Sequence, residues 1–173
     1  MSAFPYLVFF TGRDDPRDCM VIGEDEKHVF FEFETTDMCT TIFSDRQPAV
    51  ALHWAGGHSG LGSAQFLTLG QSREIPIERL IMPGSSPNAR QFVSATDDRM
   101  YEWRRSYEDP TSYELWAGPN LNVQIATFHK FDHSTPVGMS HGTLQYCFTN
   151  GLLLIEALVT LNLNRWLDLN MTG

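Results

Sequence analysis

The sequence predicts a mainly β fold, in which a closed or nearly closed antiparallel β-barrel of about ten to twelve strands surrounds a C-terminal α-helix. Two observations predict this fold. About 150 residues carry short, closely spaced strand patterns, and residues 151–169 then read as one helix that is apolar almost all the way round. A helix without a clean polar face must be buried on most of its sides. A sheet wrapped around the helix buries it in this way.

The strand patterns recur at short intervals and are bounded by Gly, Pro, Asp and Ser. They cover residues 4–10, 28–34, 39–43, 49–54, 64–69, 75–77, 90–94, 101–107, 113–116, 123–131 and 143–148. Their short connections are typical of an antiparallel meander rather than of strand–helix–strand units. Residues 11–17 are predicted as a turn and residues 134–138 as a loop. No linker or repeat interrupts the series, so residues 1–173 are predicted as a single domain.

The terminal helix carries a narrow polar stripe. Glu156, Thr160 and Asn164 are spaced four residues apart and therefore share one face of the helix. A buried carboxylate without partners is costly, so the stripe must meet hydrogen-bonding groups. Two readings of Glu156 stay open. It accepts hydrogen bonds from backbone or arginine, or it lines an internal pocket with a raised pKa.

Composition excludes several functional classes. The hydrophobic content of 42% and charged content of 19% are those of a globular protein, while the net charge of −9 opposes nucleic-acid binding and adsorption to anionic membranes. Cys19, Cys39 and Cys147 are far apart, which argues against a thiolate zinc site or a disulfide framework. No cofactor is predicted, and no residue is assigned as a metal ligand. The sequence predicts no transmembrane segment and a cytoplasmic protein.

The six histidines suggest a possible site of chemistry. Two flank a Gly-containing loop at 54–57, and three surround the segment 130–140. Imidazoles are common metal ligands and general bases near neutral pH. If both segments meet at one end of the barrel, they form a histidine-rich, possibly metal-dependent catalytic site. Its predicted residues are His53, His58, His129, His133 and Glu156. The alternative is a set of scattered surface histidines.

Strand alternation places two of these histidines differently. His53 shares a face with Ala49 and Ala51, so we expect it to point outward or to lie at a rim of the barrel. His129 shares a face with the β-branched residues of strand 123–131, so we expect it to point inward. An inward His129 near Glu156 would form an acid–base pair inside the barrel, and the alternative is a hydrogen-bonded core histidine.

Three tryptophans suggest a second kind of site. Trp54, Trp103 and Trp116 lie in or beside predicted strands, and exposed aromatic rings at these positions would form a ligand-binding or partner-binding surface. The alternative is that the rings pack at the barrel ends against neighbouring side chains.

Several motifs, in order, resemble a known family. They are Tyr-Glu-Trp-Arg at 101–104, Tyr-Glu-Leu-Trp at 113–116, Ile-Ala-Thr-Phe at 125–128, Gly-Thr-Leu at 142–144 and a leucine-rich helix at 153–161. The chain resembles a family of small fungal proteins of uncharacterised function, similar to the tubby C-terminal, LURP-one and phospholipid-scramblase group. The resemblance implies a closed barrel of roughly twelve strands, threaded by a hydrophobic C-terminal helix.

The function implied is less specific than the fold. Tubby domains bind phosphoinositides through basic surface residues, and these residues do not map onto this sequence. The calcium-binding segment and membrane anchor of scramblases have no counterpart here. We therefore expect an intracellular, non-enzymatic binding or scaffold module that contacts a lipid, a small ligand or a protein partner. The alternative is a small enzyme that uses the histidine-rich site.

Overall fold

The computed structural model describes residues 4–23, 29–56, 60–67, 72–136 and 138–171. In this part of the chain, thirteen strands form one antiparallel sheet, and a helix follows them. The elements are β1 (Tyr6–Thr11), β2 (Cys19–Gly23), β3 (Phe30–Thr36), β4 (Cys39–Ser44), β5 (Gln47–Trp54), β6 (Gly62–Phe66), β7 (Arg73–Pro76), β8 (Met82–Pro83), β9 (Ala89–Val93), β10 (Met100–Arg105), β11 (Tyr113–Ala117), β12 (Val123–Thr135), β13 (Gly138–Tyr146) and α1 (Gly151–Met171).

The mainly β character, the antiparallel pairing and the C-terminal helix are confirmed. Two strands were not expected, β2 and the two-residue β8. The predicted loop at 134–138 is also largely strand, because β12 continues to Thr135 and β13 begins at Gly138. A register shift between Lys130 and His133 lets these two strands stay paired over this length.

The sheet is open, so a closed barrel is not confirmed. Its strand order runs β7-β6-β5-β4-β3-β2-β1-β13-β12-β11-β10-β9-β8, which leaves β7 and β8 as its edges. A 3₁₀ helix, Ile77–Leu80, connects these edges and packs against β6 and β9. Both edge strands are short and end in proline, Pro76 and Pro83, which discourages the addition of another strand.

The helix lies within the curved sheet. Every residue from 153 to 165 is buried. Trp166 packs against Trp54 of β5 with ring centroids 4.8 Å apart, and the Arg165 guanidinium lies 4.6 Å from the Phe128 ring of β12. Five strands separate β5 from β12 in the sheet. Because α1 contacts strands so far apart in that order, the sheet must curve around it.

The polar stripe of α1 finds its partners on β9 and β10 and in the turn that joins them. Trp103 Nε1 donates to Thr160 Oγ1 at 2.8 Å, and Arg90 Nη1 donates to Asn164 Oδ1 at 2.9 Å. The same Arg90 atom donates to Asp168 Oδ1 at 3.0 Å, one turn further along the helix. These bonds fix the rotation of α1 about its own axis, because a rotated stripe would face apolar strands.

The bond between Trp103 and Thr160 tests this fixation. Thr160→Val keeps the side-chain shape but leaves Trp103 Nε1 without its acceptor, which costs about 1–3 kcal/mol for a buried donor. We expect the variant to lose about 2 kcal/mol of unfolding free energy. In a Trp103→Phe background, which has no donor at this position, Thr160→Val should lower the unfolding free energy clearly less than it does in wild type. Urea unfolding of all four proteins measures this coupling, and a coupling near zero would contradict the account.

Candidate functional site

Glu156 is buried in the N-terminal half of α1 and is held by the turn that follows β9. Ser94 Oγ donates to Glu156 Oε1 at 2.5 Å, and the Ala95 amide donates to Oε2 at 2.9 Å. Thr96 Oγ1 lies 3.3 Å from Oε1. Burial raises the pKa of Glu156, although these hydrogen bonds act to lower it. Its carboxylate oxygens are therefore engaged in joining the helix to the sheet.

Glu156→Gln tests the raised pKa. The folded-state pKa lies above the ordinary value of 4.5, so folding favours the protonated carboxyl. The contribution of Glu156 to stability is therefore greatest below pH 4.5 and is lost as the pH rises through the folded-state pKa. Glutamine does not titrate. The free energy of unfolding of the variant minus that of wild type should grow as the pH rises from about 4.5 through the folded-state pKa of Glu156. Urea melts that show a constant difference would refute this account.

His53 points outward, as expected. It is exposed on β5, and its Nε2 atom lies 3.4 Å from Gln65 Oε1 on the neighbouring strand β6. His58 lies outside the residues that the structure describes.

The expected inward orientation of His129 is wrong. On β12 the residues that face α1 are Ala126 and Phe128, and His129 is exposed. The bulky Phe128 ring gains more from burial than the β-branched residues of the opposite face, and this sets the strand orientation. Glu156 and His129 are therefore on opposite sides of the sheet and do not form the expected acid–base pair.

His129 instead adjoins the turn between β10 and β11. Its Nδ1 atom lies 3.2 Å from Ser112 Oγ, and its Nε2 atom lies 3.3 Å from Thr127 Oγ1. The Ser112 hydroxyl donates to Asp109 Oδ2 at 2.7 Å. Because that proton points at the carboxylate, His129 donates to Ser112 instead of accepting from it. This is the reverse of a serine nucleophile that is activated by a histidine base.

His133 lies on the same strand as His129. Its ring stacks on Phe131 with centroids 4.4 Å apart, and its buried Nδ1 atom has no hydrogen-bond partner among the described residues. Five strands separate β12 from β5, which carries His53. Among the described residues, no group of three or more His, Cys, Asp or Glu side chains is placed to hold a metal ion. The catalytic roles of these histidines stay predictions.

The three tryptophans occupy different environments. Trp103 is not exposed, which corrects the expectation, because only 1% of its surface is accessible and it anchors α1. Trp54 is half-buried and packs on Trp166, whereas Trp116 lies on β11 beneath the guanidinium of Arg104, 4.5 Å from the ring centroid. They form no common surface.

A charged cluster that the sequence interpretation missed surrounds Asp14, in the loop between β1 and β2. Lys130 Nζ lies 2.7 Å from Asp14 Oδ2, while His141 Nδ1 and Arg165 Nη2 lie 3.4 and 3.6 Å from Oδ1. These partners come from β12, β13 and α1. One feature of the sequence could have indicated this cluster. Arg165 is a cation in an otherwise apolar helix, and a buried cation needs a counter-charge. We call Lys130, His141 and Arg165 the cationic seat.

The charged groups of this cluster shift one another's pKa values. Burial lowers the pKa of His141, although attraction to Asp14 acts to raise it. Burial also acts to raise the pKa of Asp14, but its hydrogen bond with Lys130 and the nearby cations hold it below the usual range. At neutral pH the cluster therefore contains an ionised Asp14, two permanent cations and a neutral imidazole.

A second feature lies where the sheet is open. A cavity of about 290 Å³ forms at the surface between β7, the 3₁₀ helix and strands β8 and β9. We call it the seam groove, and it is lined by Arg73, Ile75, Pro76, Arg79, Met82 and Val93. Two of these side chains are cationic and the others are apolar. It is thus a basic, partly apolar surface on a chain of net charge −9.

Comparison with known proteins places the chain in a family. The model of a family of unknown function, DUF6593, matches residues 14–160. The chain belongs to this family. The matched part runs from Asp14 to Thr160 and so includes most of the sheet and half of α1. No curated protein and no solved structure matches the chain. The resemblance to the tubby and scramblase group gains no support from these comparisons and stays a prediction.

In the described part of the chain, no helix is both long and apolar enough to cross a membrane.

Proposed function

We propose that this chain is a cytoplasmic, non-enzymatic binding module that takes a small amphiphilic anion into the seam groove. The observation that carries the proposal is the pair of arginines, Arg73 and Arg79, beside apolar side chains in an open cavity of about 290 Å³. That volume is near the lower limit of ordinary small-molecule sites.

The interior of the sheet is a poor alternative for a ligand. α1 fills it, and the polar side chains of the helix already bond to the surrounding fold. Glu156 accepts from Ser94 and from the Ala95 amide, and Thr160 accepts from Trp103. A ligand placed there would have to displace these bonds, which favours a site on the outer surface.

The residues of the seam groove favour a ligand with two parts. Arg73 and Arg79 are exposed and supply charge-assisted hydrogen bonds to a carboxylate or phosphate. Ile75, Met82 and Val93 supply apolar contact, and Val93 is 38% exposed. An anion that carries a short apolar chain satisfies both parts of the groove.

The overall charge favours a small ligand over an anionic membrane. A net charge of −9 repels an extended negative surface but acts weakly on a single anion at salt concentrations that screen it. The resemblance to the tubby group supports a binding role in general, since those domains bind lipid head groups.

Calorimetric titration with sodium decanoate, below its micelle concentration, tests the proposal. We expect saturable binding of one anion, and we expect Arg73→Gln or Arg79→Gln to weaken it about tenfold, the effect of one lost charge-assisted hydrogen bond at a partly exposed site. Arg46→Gln is the matched control, because Arg46 is an exposed arginine in the turn between β4 and β5.

Three outcomes would refute the proposal: no saturable binding of decanoate, equal weakening by Arg46→Gln, or equally tight binding of uncharged decanol. Binding to phosphatidylserine vesicles but not to free decanoate would indicate a membrane-binding module and would also refute it.

A further inference from the structure

The cationic seat around Asp14 has the architecture of a ligand site that is already filled. His141 and Arg165 are deeply buried, with side chains 8% and 5% exposed. The Asp14 side chain is 45% exposed and comes from a surface loop. A half-exposed carboxylate therefore occupies a position that three donors from β12, β13 and α1 surround.

The donors of the seat exceed what Asp14 satisfies. Lys130 lies within hydrogen-bond distance of Asp14, but the Arg165 Nη2 atom, at 3.6 Å, does not. Both ring nitrogens of His141 are buried. The backbone of Thr11 and Arg13 acts on this imidazole, but among the described residues neither nitrogen has a hydrogen bond of ordinary geometry. A planar carboxylate has two oxygens, whereas a tetrahedral oxyanion such as phosphate presents four acceptor oxygens to the same donors.

The charge of the seat also favours the binding of an anion from solution. Lys130 and Arg165 carry two positive charges, and Asp14 supplies one negative charge. Asp15, the next carboxylate of the loop, attracts Arg165 less strongly than Asp14 does. It is already engaged, because its Oδ1 atom accepts the amide of Arg17 at 2.9 Å.

The loop is built so that Asp14 can leave while its neighbours stay. Gly12 precedes it with a φ of +77°, a conformation that glycine adopts without strain. After it, Asp15 holds the Arg17 amide, and Asp18 Oδ1 accepts the Thr35 amide of β3 at 3.0 Å. These bonds fix the loop beyond Asp14 and do not involve the Asp14 side chain.

We propose that the cationic seat is a binding site for a phosphate-like oxyanion, and that Asp14 is a tethered occupant that the incoming anion displaces. Lys130 and Arg165 would bind the oxyanion, with the His141 imidazole donating to one of its remaining oxygens. The site lies at the C-terminal half of α1. The seam groove adjoins the other half, where Arg73 attracts Glu156, so this proposal does not depend on the first.

The test is calorimetric titration with inorganic phosphate at constant ionic strength. Asp14→Asn removes the competing charge and keeps the side-chain shape, so we expect it to bind phosphate at least about tenfold more tightly than wild type. Adding Lys130→Gln to Asp14→Asn should reverse most of that gain. Arg46→Gln, in the exposed turn between β4 and β5, should leave phosphate binding unchanged.

Asp98→Asn is the matched control, because it makes the same chemical change at an exposed turn residue between β9 and β10. If Asp98→Asn gains phosphate affinity to the same degree, the effect is one of net charge and the proposal is wrong. Absence of phosphate binding by a folded Asp14→Asn variant would also overturn it.

A measurement on the wild-type chain covers the case in which Asp14→Asn does not fold. Phosphate should shift the amide resonances of residues 12–17 and the imidazole resonances of His141 in an NMR titration, with no such shifts in chloride of equal ionic strength. Shifts that are confined to other parts of the chain, or equal shifts in both salts, would overturn the proposal.

Discussion

The hydrogen bonds that join the polar stripe of α1 to strands β9 and β10 and to the turn between them are the constraint on which the rest of the structure depends. The helix is apolar enough to be buried in several rotational positions, and hydrophobic contact alone discriminates weakly among them. Thr160 accepts a hydrogen bond from Trp103, and Asn164 accepts one from Arg90. If the helix were rotated about its axis, these bonds would break and buried polar groups would be left unpaired. Matching these groups therefore selects one rotation of the helix, and that rotation places every other side chain of α1.

Two ionisable residues of α1 then have opposite requirements at its two halves. Glu156 needs hydrogen-bond donors. It receives them from the Ser94 hydroxyl and the Ala95 amide, which lie in the turn between β9 and β10. Arg165 needs acceptors, and its counter-charge, Asp14, comes from a loop at the surface. The carboxylate is enclosed by the fold. The guanidinium donates from Nη1 to the buried Asn162 Oδ1 at 3.2 Å, but its counter-charge is a group that solvent can reach. This difference makes the Arg165 half of the helix the place where an external anion can compete.

Local periodicity was enough to predict the helix, most of the strands and the need of Glu156 for partners. The predicted start of the helix, Gly151, is also the observed start of α1, because the apolar pattern there is long and continuous. It failed for His129, since both faces of β12 carry apolar residues and the contact of Phe128 with α1 decided between them. The cluster around Asp14 was out of reach for a different reason. Its members are distant in sequence and come from a loop, two strands and a helix, and only the folded sheet brings them together.

Native-state hydrogen exchange of α1 tests the central claim most directly. If the polar stripe holds the helix inside the sheet, the amides of residues 153–165 open only when the sheet opens. Their exchange free energies, measured against denaturant, should then equal those of β10 and the free energy of global unfolding. Exchange of these helix amides through an opening of clearly lower free energy, while β10 stays protected, would show that the helix leaves a sheet that is stable without it, and would contradict the account.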